Sequence, residues 1–246
     1  MNRSCRVGFV CQWYAAEPGT LPTEFAHGLQ DAGWNVRVLT GFPNYPSGKV
    51  HEGYANRLPQ KETIDGVPVL RTPLYPSHDR SAVRRILNYL TWSTSATLAA
   101  ASWLAGSDVC LVYGSPLTAA APAVALKWLR GTPYVIQVQD LWPDSIVESG
   151  FSSPLPGAVR RALERICNRI YAEAAECVVW AGVTISTNVT LGRHVQVHAN
   201  PNATIGHGSV ISDFVNSAPR HLRRDHCQWG ESRRSCRHHS GGADHR

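Results

Sequence analysis

The chain has 246 residues, 43% of them hydrophobic, enough for one well-buried core and a small appendage, and it contains no apolar run of the roughly eighteen residues that a membrane-crossing helix needs. Seven cysteines, an odd number without a CxxC pair, argue against a disulfide framework and for a reducing compartment, the cytoplasm by default. The net charge of +6 sits mostly between Ser217 and Arg246, where seven Arg face three acidic residues and Trp229 is the only aromatic, so the basic balance does not point to nucleic acid.

The amino terminus has a basic start, but its apolar run "RVGFVCQWY" is short and flows into "AAEPGT". That predicts a buried first strand rather than a signal peptide. "TLPTEFAHGLQDAG" follows as a helix closed by Gly33, then "WNVRVLTG" as a second strand and "GVPVLRTPLY" as a third. Arg80 to Leu104 reads as a long helix, "DVCLVYG" as a strand, and "PLTAAAPAVALKWLRG" as a helix. "TPYVIQVQDLWPDS" is a strand ending in a polar loop, and "PLPGAVRRALERICNRIYAEAAE" is another helix. Continuous apolar strands separated by helices predict an α/β fold with a doubly wound, Rossmann-like parallel sheet. Functional groups are then expected at the carboxyl ends of the strands, in the loops "EPGT", "GFPNYPSG", "LYPSHDR", "GSPLT" and "QDLWPDS".

From Val183 the rhythm changes. Ile185, Leu191 and Val197 recur at every sixth place, as do Ile205 and Ile211 after a slip of two. "LGRHVQ" and "IGHGSV" fit the hexapeptide pattern of a left-handed parallel β-helix, with a simple hairpin region as the alternative. The last thirty residues lack Val, Ile, Phe, Tyr, Met and Lys, and are expected to be disordered. They look like a GC-rich frame read out of phase. Their Cys227, Cys236, His238 and His239 match no common zinc spacing, so no metal is expected. The expected division is therefore 1–179, 180–216 and an Arg/His-rich tail at 217–246.

Several loop residues carry chemical potential. Gly19 lets a ligand approach the backbone, and the amides from Thr20 onward open a helix whose positive end favours phosphate; a tight turn alone would look the same. Asp140 and Asp144 follow a buried strand, with Trp142 and Pro143 stiffening the loop, and carboxylates there can orient or deprotonate a sugar hydroxyl. Asp144 could equally cap a turn, with Trp142 as core. Asn44, Tyr45, Tyr75, His78 and Asp79 offer amide and aromatic groups suited to sugars, in loops whose Pro content also demands turn chemistry. Arg80, Arg84 and Arg85 precede Tyr89 and Trp92 on one helix. That arrangement suits an anionic membrane interface, or else an ordinary helix covering the sheet.

Together, "QWYAAEPGT", "EFAHGLQDAGWNVRVLTGFPNYPSGKV", "LYPSHDRSAVRRILNYL", "VYGSP" and "VQDLWPDSIVESGF" resemble the family-4 glycosyltransferases of the GT-B fold, most of all the branch that builds O-antigen and colanic acid. The resemblance spans about Arg6 to Val179. It implies an amino-terminal acceptor domain and retaining transfer of a hexosyl or N-acetylhexosaminyl group from a nucleotide sugar. The acceptor it implies is a polyprenyl-diphosphate-linked saccharide at the inner membrane face, with no cofactor. By this resemblance Gly19 and Thr20 face the donor diphosphate and Asp140 is catalytic. Asn44, Tyr45, Ser115, Gln139, Trp142 and Asp144 lie on the acceptor side. Gln139 stands where many members carry the His of a His-Asp pair. The family's nucleotide half carries two glutamates eight positions apart, and no two glutamates here have that separation, so the chain is expected to be inactive alone. The repeat resembles sialic-acid-type O-acyltransferases, with His207 at the place of the base and Gly208 where an acidic residue usually follows. That gives the alternative of acyl transfer from acetyl-CoA; a non-catalytic fused or truncated product is a third.

Overall fold

The computed structural model describes residues 4–18, 21–78, 81–139, 142 and 157–180, and the strand segments 184–185, 190–191, 195–198, 204–205 and 210–211. In chain order these form β1 (Arg6–Val10), α1 (Leu21–Asp31), β2 (Asn35–Gly41), β3 (Gln60–Ile64), β4 (Val67–Thr72), α2 (Ala82–Trp103) and β5 (Val109–Gly114). A 3-10 turn (Leu117–Ala120) runs into α3 (Ala121–Arg130), followed by β6 (Tyr134–Val138), α4 (Gly157–Glu173) and β7 (Glu176–Trp180). Short strands close the order: β8 (Thr184–Ile185), β9 (Thr190–Leu191), β10 (Val195–His198), β11 (Thr204–Ile205) and β12 (Val210–Ile211).

The main sheet has eight strands in the order β10-β7-β6-β5-β1-β2-β4-β3, all parallel except the β3–β4 pair. The chain winds outward from β1 through β2 to β4, then crosses back to β5 on the other side of β1. The order therefore reverses between β1 and β5, as the doubly wound expectation requires. Because successive strand residues point to opposite faces, each apolar run feeds both layers. Phe9, Val38 and Val69 pack with Ala26 of α1, whereas Val10, Leu39 and Leu70 pack under α2 and α3.

Helix α2 turns Trp92, Ala96 and Ala100 inward at a spacing of four, with buried Asn88 one turn before them and Leu104 just past the helix end. The alanines let the helix lie close to its neighbours, and Trp92 fills the space near Leu74 and Gly41. Trp92 is completely buried. Its expected place at a membrane interface is thus corrected: its position on the inward stripe makes it core. Helix α3 carries Lys127 and Arg130 in its last turn, where they complement the helix dipole, and ends on Gly131 in the left-handed conformation at φ 72°.

The sequence reading missed β3. The stretch "QKETI" is charged and alternates half-buried with exposed residues, as an edge strand does. It pairs antiparallel with β4 through Asp65 and Gly66, at φ 48° and 82°. Two adjacent left-handed residues are what a tight hairpin turn needs, and Asp-Gly supplies them cheaply. The strand anticipated over "GVPVLRTPLY" is the second arm of this hairpin. The helix anticipated from Arg80 starts at Ala82, and the one anticipated from Pro116 divides into the 3-10 turn and α3.

Beyond β7 the strands pair in parallel at near-constant offsets. Val195 lies opposite Cys177, eighteen residues earlier, while Thr204 lies opposite Thr184 and Val210 opposite Thr190, each twenty residues earlier. The tail after Ile211 lies outside the described residues.

Candidate functional site

At the carboxyl end of β1 the chain leaves the sheet where the strand order reverses, and polar side chains gather there. The Cys11 amide donates to the Leu39 carbonyl, and the Gln12 carbonyl accepts both the Gly41 amide and the Thr40 hydroxyl at 3.1 Å. These bonds carry the β1 pairing with β2 beyond the strands themselves. A side chain at Gly41 would come within 2.7 Å of Leu74 and 3.0 Å of the Gln12 carbonyl, so only glycine permits this approach.

Gln12 and Asn88 are each 1% exposed, and the Gln12 amide nitrogen donates to Asn88 Oδ1 at 2.5 Å. Asn88 in turn donates through Nδ2 to the Tyr75 carbonyl at 2.7 Å and, at 3.4 Å, to Asn44 Oδ1. Asn44 Nδ2 donates to the Phe42 carbonyl. The loops after β1, β2 and β4 are thereby tied to α2 through three buried amides, none of them adjacent in sequence.

Glu17 adds a clasp. Its Oε1 accepts the backbone amides of Asn44 and Tyr45 at 2.7 and 3.1 Å, and its buried Oε2 has no partner among the described residues. Burial pushes this carboxyl up to about 7, against the opposing pull of the two amides, Arg71 and His51. The residue before it, Ala16, sits at φ 78°, a left-handed conformation costly for a residue with a side chain. Arg71 holds the loop there. Its guanidinium is fully buried on β4, pairs with Glu62 of β3, and donates to the carbonyls of Gly41 at 2.9 Å and Ala15 at 2.7 Å. It also lies 4.9 Å over the Tyr54 ring.

Sequence reasoning passed over Gln12, Glu17, Arg71 and Asn88. A charged residue within the apolar run "VPVLRTPL" was the available signal, since a buried guanidinium has to find partners. The Cys11 thiol beside this site is pushed up by burial, as is Tyr14, and a thiol so disfavoured as thiolate is packing rather than a nucleophile.

Across the switch point, β5 ends at Gly114, whose missing side chain leaves room for the Gln137 carbonyl, 2.8 Å from where a Cβ would stand. Ser115 follows, half-buried, with its amide donating to the Tyr113 carbonyl. On β6, Gln137 is 2% exposed and accepts from Gln139 Nε2 at 2.6 Å, while its own Nε2 has no partner among the described residues. Trp13, Tyr89 and Trp142 are half-buried along this edge. The Trp13 and Tyr89 rings lie 6.2 Å apart, and those of Tyr89 and Trp142 lie 6.0 Å apart.

Of the residues expected from the sequence, Asn44, Tyr45, Ser115, Gln139 and Trp142 all lie at the carboxyl edge of the sheet. Asn44 and Tyr45 meet at Glu17, and Tyr45 stands edge-on to His78 at 4.5 Å. Trp142 meets Tyr89, a residue expected instead at a membrane. Gly19, Thr20, Arg80, Asp140, Asp144 and His207 lie outside the described residues. Among the described residues no three His, Cys, Asp or Glu are grouped to hold a metal ion, and no helix is long and apolar enough to cross a membrane.

A doubly wound sheet whose loops gather amides, a carboxyl and aromatic rings at its switch point defines an α/β protein of the Rossmann-like ligand-binding class. More narrowly, the chain belongs to the glycosyl transferase 4-like domain family, which it matches over residues 18–203. Its fold is accordingly that of a GT-B amino-terminal domain. Among solved structures it is similar to a sucrose-phosphate synthase from Thermosynechococcus elongatus, at 12% identity and a TM-score of 0.46 over 72% of this chain. The chain covers 42% of that protein's length. No curated protein matches it.

Proposed function

We propose that the chain supplies the acceptor side of a retaining glycosyltransferase of cell-surface polysaccharide synthesis. The enzyme would move a hexosyl or N-acetylhexosaminyl group from a nucleotide sugar to a polyprenyl-linked saccharide. The observation that carries this reading is the collection of Gln12, Glu17, Asn44 and Asn88 at the switch point of a chain from this family. In this reading Gly19 and Thr20, between Glu17 and α1, turn backbone amides toward the donor diphosphate. Asp140, two residues beyond β6, orients the sugar hydroxyl or accepts its proton. Stabilising the departing diphosphate takes groups from both walls of a cleft, so the 246 residues alone are expected to transfer sugar poorly or not at all.

Equilibrium binding of a polyprenyl-diphosphate-linked monosaccharide tests the acceptor assignment. Saturable binding without donor, weakened by Asp140→Asn, is expected; a chain that ignores this lipid sinks the reading. Detectable transfer from a UDP-sugar by the purified chain would instead overturn the expectation of inactivity.

Helix α2 supports a peripheral place at the inner face of the membrane. Val83, Leu87, Leu90 and Leu98 are exposed along one of its sides, in company with exposed Arg84. Flotation with anionic vesicles, reduced by Arg84→Glu, is the expected result. A second reading, acyl transfer from acetyl-CoA with His207 as base, draws support from the pairing offsets of eighteen and twenty residues, close to the ~18 residues of one hexapeptide-repeat coil. It predicts trimers and an activity lost in His207→Ala, and a monomer that does not bind CoA ends it.

A further inference from the structure

Two consecutive residues of the β1–α1 loop touch two consecutive residues of α2. On the inside, Gln12 donates to Asn88, both buried. One residue further along each segment, Trp13 and Tyr89 meet ring to ring at 6.2 Å and 80°, and both are half-buried. Tyr89 also faces Trp142, from the loop after β6, at 6.0 Å and 57°. Three rings from three separate crossovers therefore meet at the edge where the strand order reverses, beside a floor of buried amides.

Trp142 packs partly against the main core, whereas Trp13 and Tyr89 have the buried amides of Gln12 and Asn88 beside them. Here the neighbouring amide keeps an unused acceptor, since Gln12 Oε1 is buried without a partner among the described residues. Such an orphan persists where a ligand or an ordered water completes it. A sugar is the ligand with matching surfaces. One face of a pyranose ring presents C–H groups, which are attracted to the negative face of an aromatic ring, while its rim presents hydroxyls that both donate and accept.

We propose that Trp13, Tyr89 and Trp142 form the seat for the terminal pyranose ring of the acceptor, with Gln12 and Asn88 as positioning residues that hold the first two rings at their spacing. This rests on the acceptor reading given above. The rings grip the sugar without regard to most of its hydroxyl pattern, so the seat selects for a flat C–H face. Two rings are mounted on segments that the buried Gln12–Asn88 hydrogen bond ties directly together. Changes at Gln12 are therefore felt at Trp13.

Saturation-transfer NMR on the full chain, with methyl β-D-glucopyranoside and methyl N-acetyl-β-D-glucosaminide as probes, tests the seat, and the polyprenyl-diphosphate-linked monosaccharide serves as a separate probe of the acceptor reading. Circular dichroism checks that each variant folds. We expect transfer concentrated on the ring C–H protons, weakened about fivefold in Trp13→Leu and largely kept in Trp13→Phe, which restores a flat aromatic face. Trp128→Leu, at an exposed ring on α3, should leave it unchanged. Glycoside binding that Trp13→Leu does not alter overturns the proposal and leaves the acceptor reading standing. A chain that binds the polyprenyl-diphosphate-linked monosaccharide but neither glycoside also sinks the seat alone, and one that binds neither the glycosides nor that lipid sinks both.

Discussion

Glu17 and Glu173 show how place decides what a carboxylate does. Each accepts two hydrogen bonds. Glu17 takes the amides of Asn44 and Tyr45 at the carboxyl edge of the sheet, and Glu173 takes Arg169 Nε and Trp128 Nε1, both at 2.7 Å, on the outer flank of α3 and α4. Yet their affinities for a proton move in opposite directions. Burial raises Glu17, whereas the hydrogen bonds from Arg169 and Trp128 lower Glu173, a half-buried side chain at the surface. Desolvation wins at the first because neutral amides return less than water did; at the second little desolvation opposes the pairing. The arginines repeat the contrast. Arg71 is fully buried and spends its guanidinium on Glu62 and two carbonyls, while Arg169 lies exposed over the Trp128 ring at 5.2 Å.

Breaking the buried arginine should give the largest effect. Arg71→Met strands Glu62 and leaves the Ala15 and Gly41 carbonyls unmatched, with an expected loss of about 3–5 kcal/mol in urea unfolding. A loss below about 1 kcal/mol would place this cluster on a par with a surface pair. Next comes Glu17→Ala, which removes the acceptor of two backbone amides and should cost about 1–3 kcal/mol. Glu17→Gln keeps an acceptor and should retain much of that stability, so equal damage by both variants would contradict the clasp.

A gentler perturbation is pH. The folded carboxyl of Glu17 keeps its proton up to about 7, while the unfolded chain releases it near 4.5. Between those values the folded state holds more protons, so stability should fall as pH rises and level off above about 7. Thermal melts from pH 4.5 to 8 should show this decline from Glu17 in the parent and lose it in Glu17→Gln. An unchanged profile in the variant refutes the assignment. The smallest effect belongs to Arg169→Ala, expected within about 0.5 kcal/mol because water screens the pair it breaks. A larger loss there would erase the distinction between the two regions.

Much of the fold was legible because parallel strands covered on both faces leave uninterrupted apolar runs, as in buried Val7–Val10 and in Val109–Val112, where half-buried and buried residues alternate. The edge strand Gln60–Ile64 was not, since its alternation is carried by charged residues, although the Asp65-Gly66 turn beside it was a usable signal. The carboxyl-edge loops were also legible as places. Their wiring was not, because Gln12 and Asn88 stand seventy-six positions apart and only the crossing of α2 over the sheet brings them together. In the same way the pattern of α2 revealed a helix without revealing which side faced inward. The buried side is set by Trp92, Ala96 and Ala100, so an aromatic that reads as interfacial in sequence becomes core.

The far border of the main sheet has one further consequence. Among the described residues, Glu176–Trp180 joins β6 on one side and pairs on the other with Val195–His198, fifteen positions further on. Shortening the chain after Trp180 would bare a row of unpaired amides and carbonyls beside the apolar run Cys177–Trp180, a template on which a second molecule can add its own strand. Val195–His198 thus caps the apolar strand Glu176–Trp180, and a domain trimmed before it would need a charged residue or a proline set into the new border to stay monodisperse.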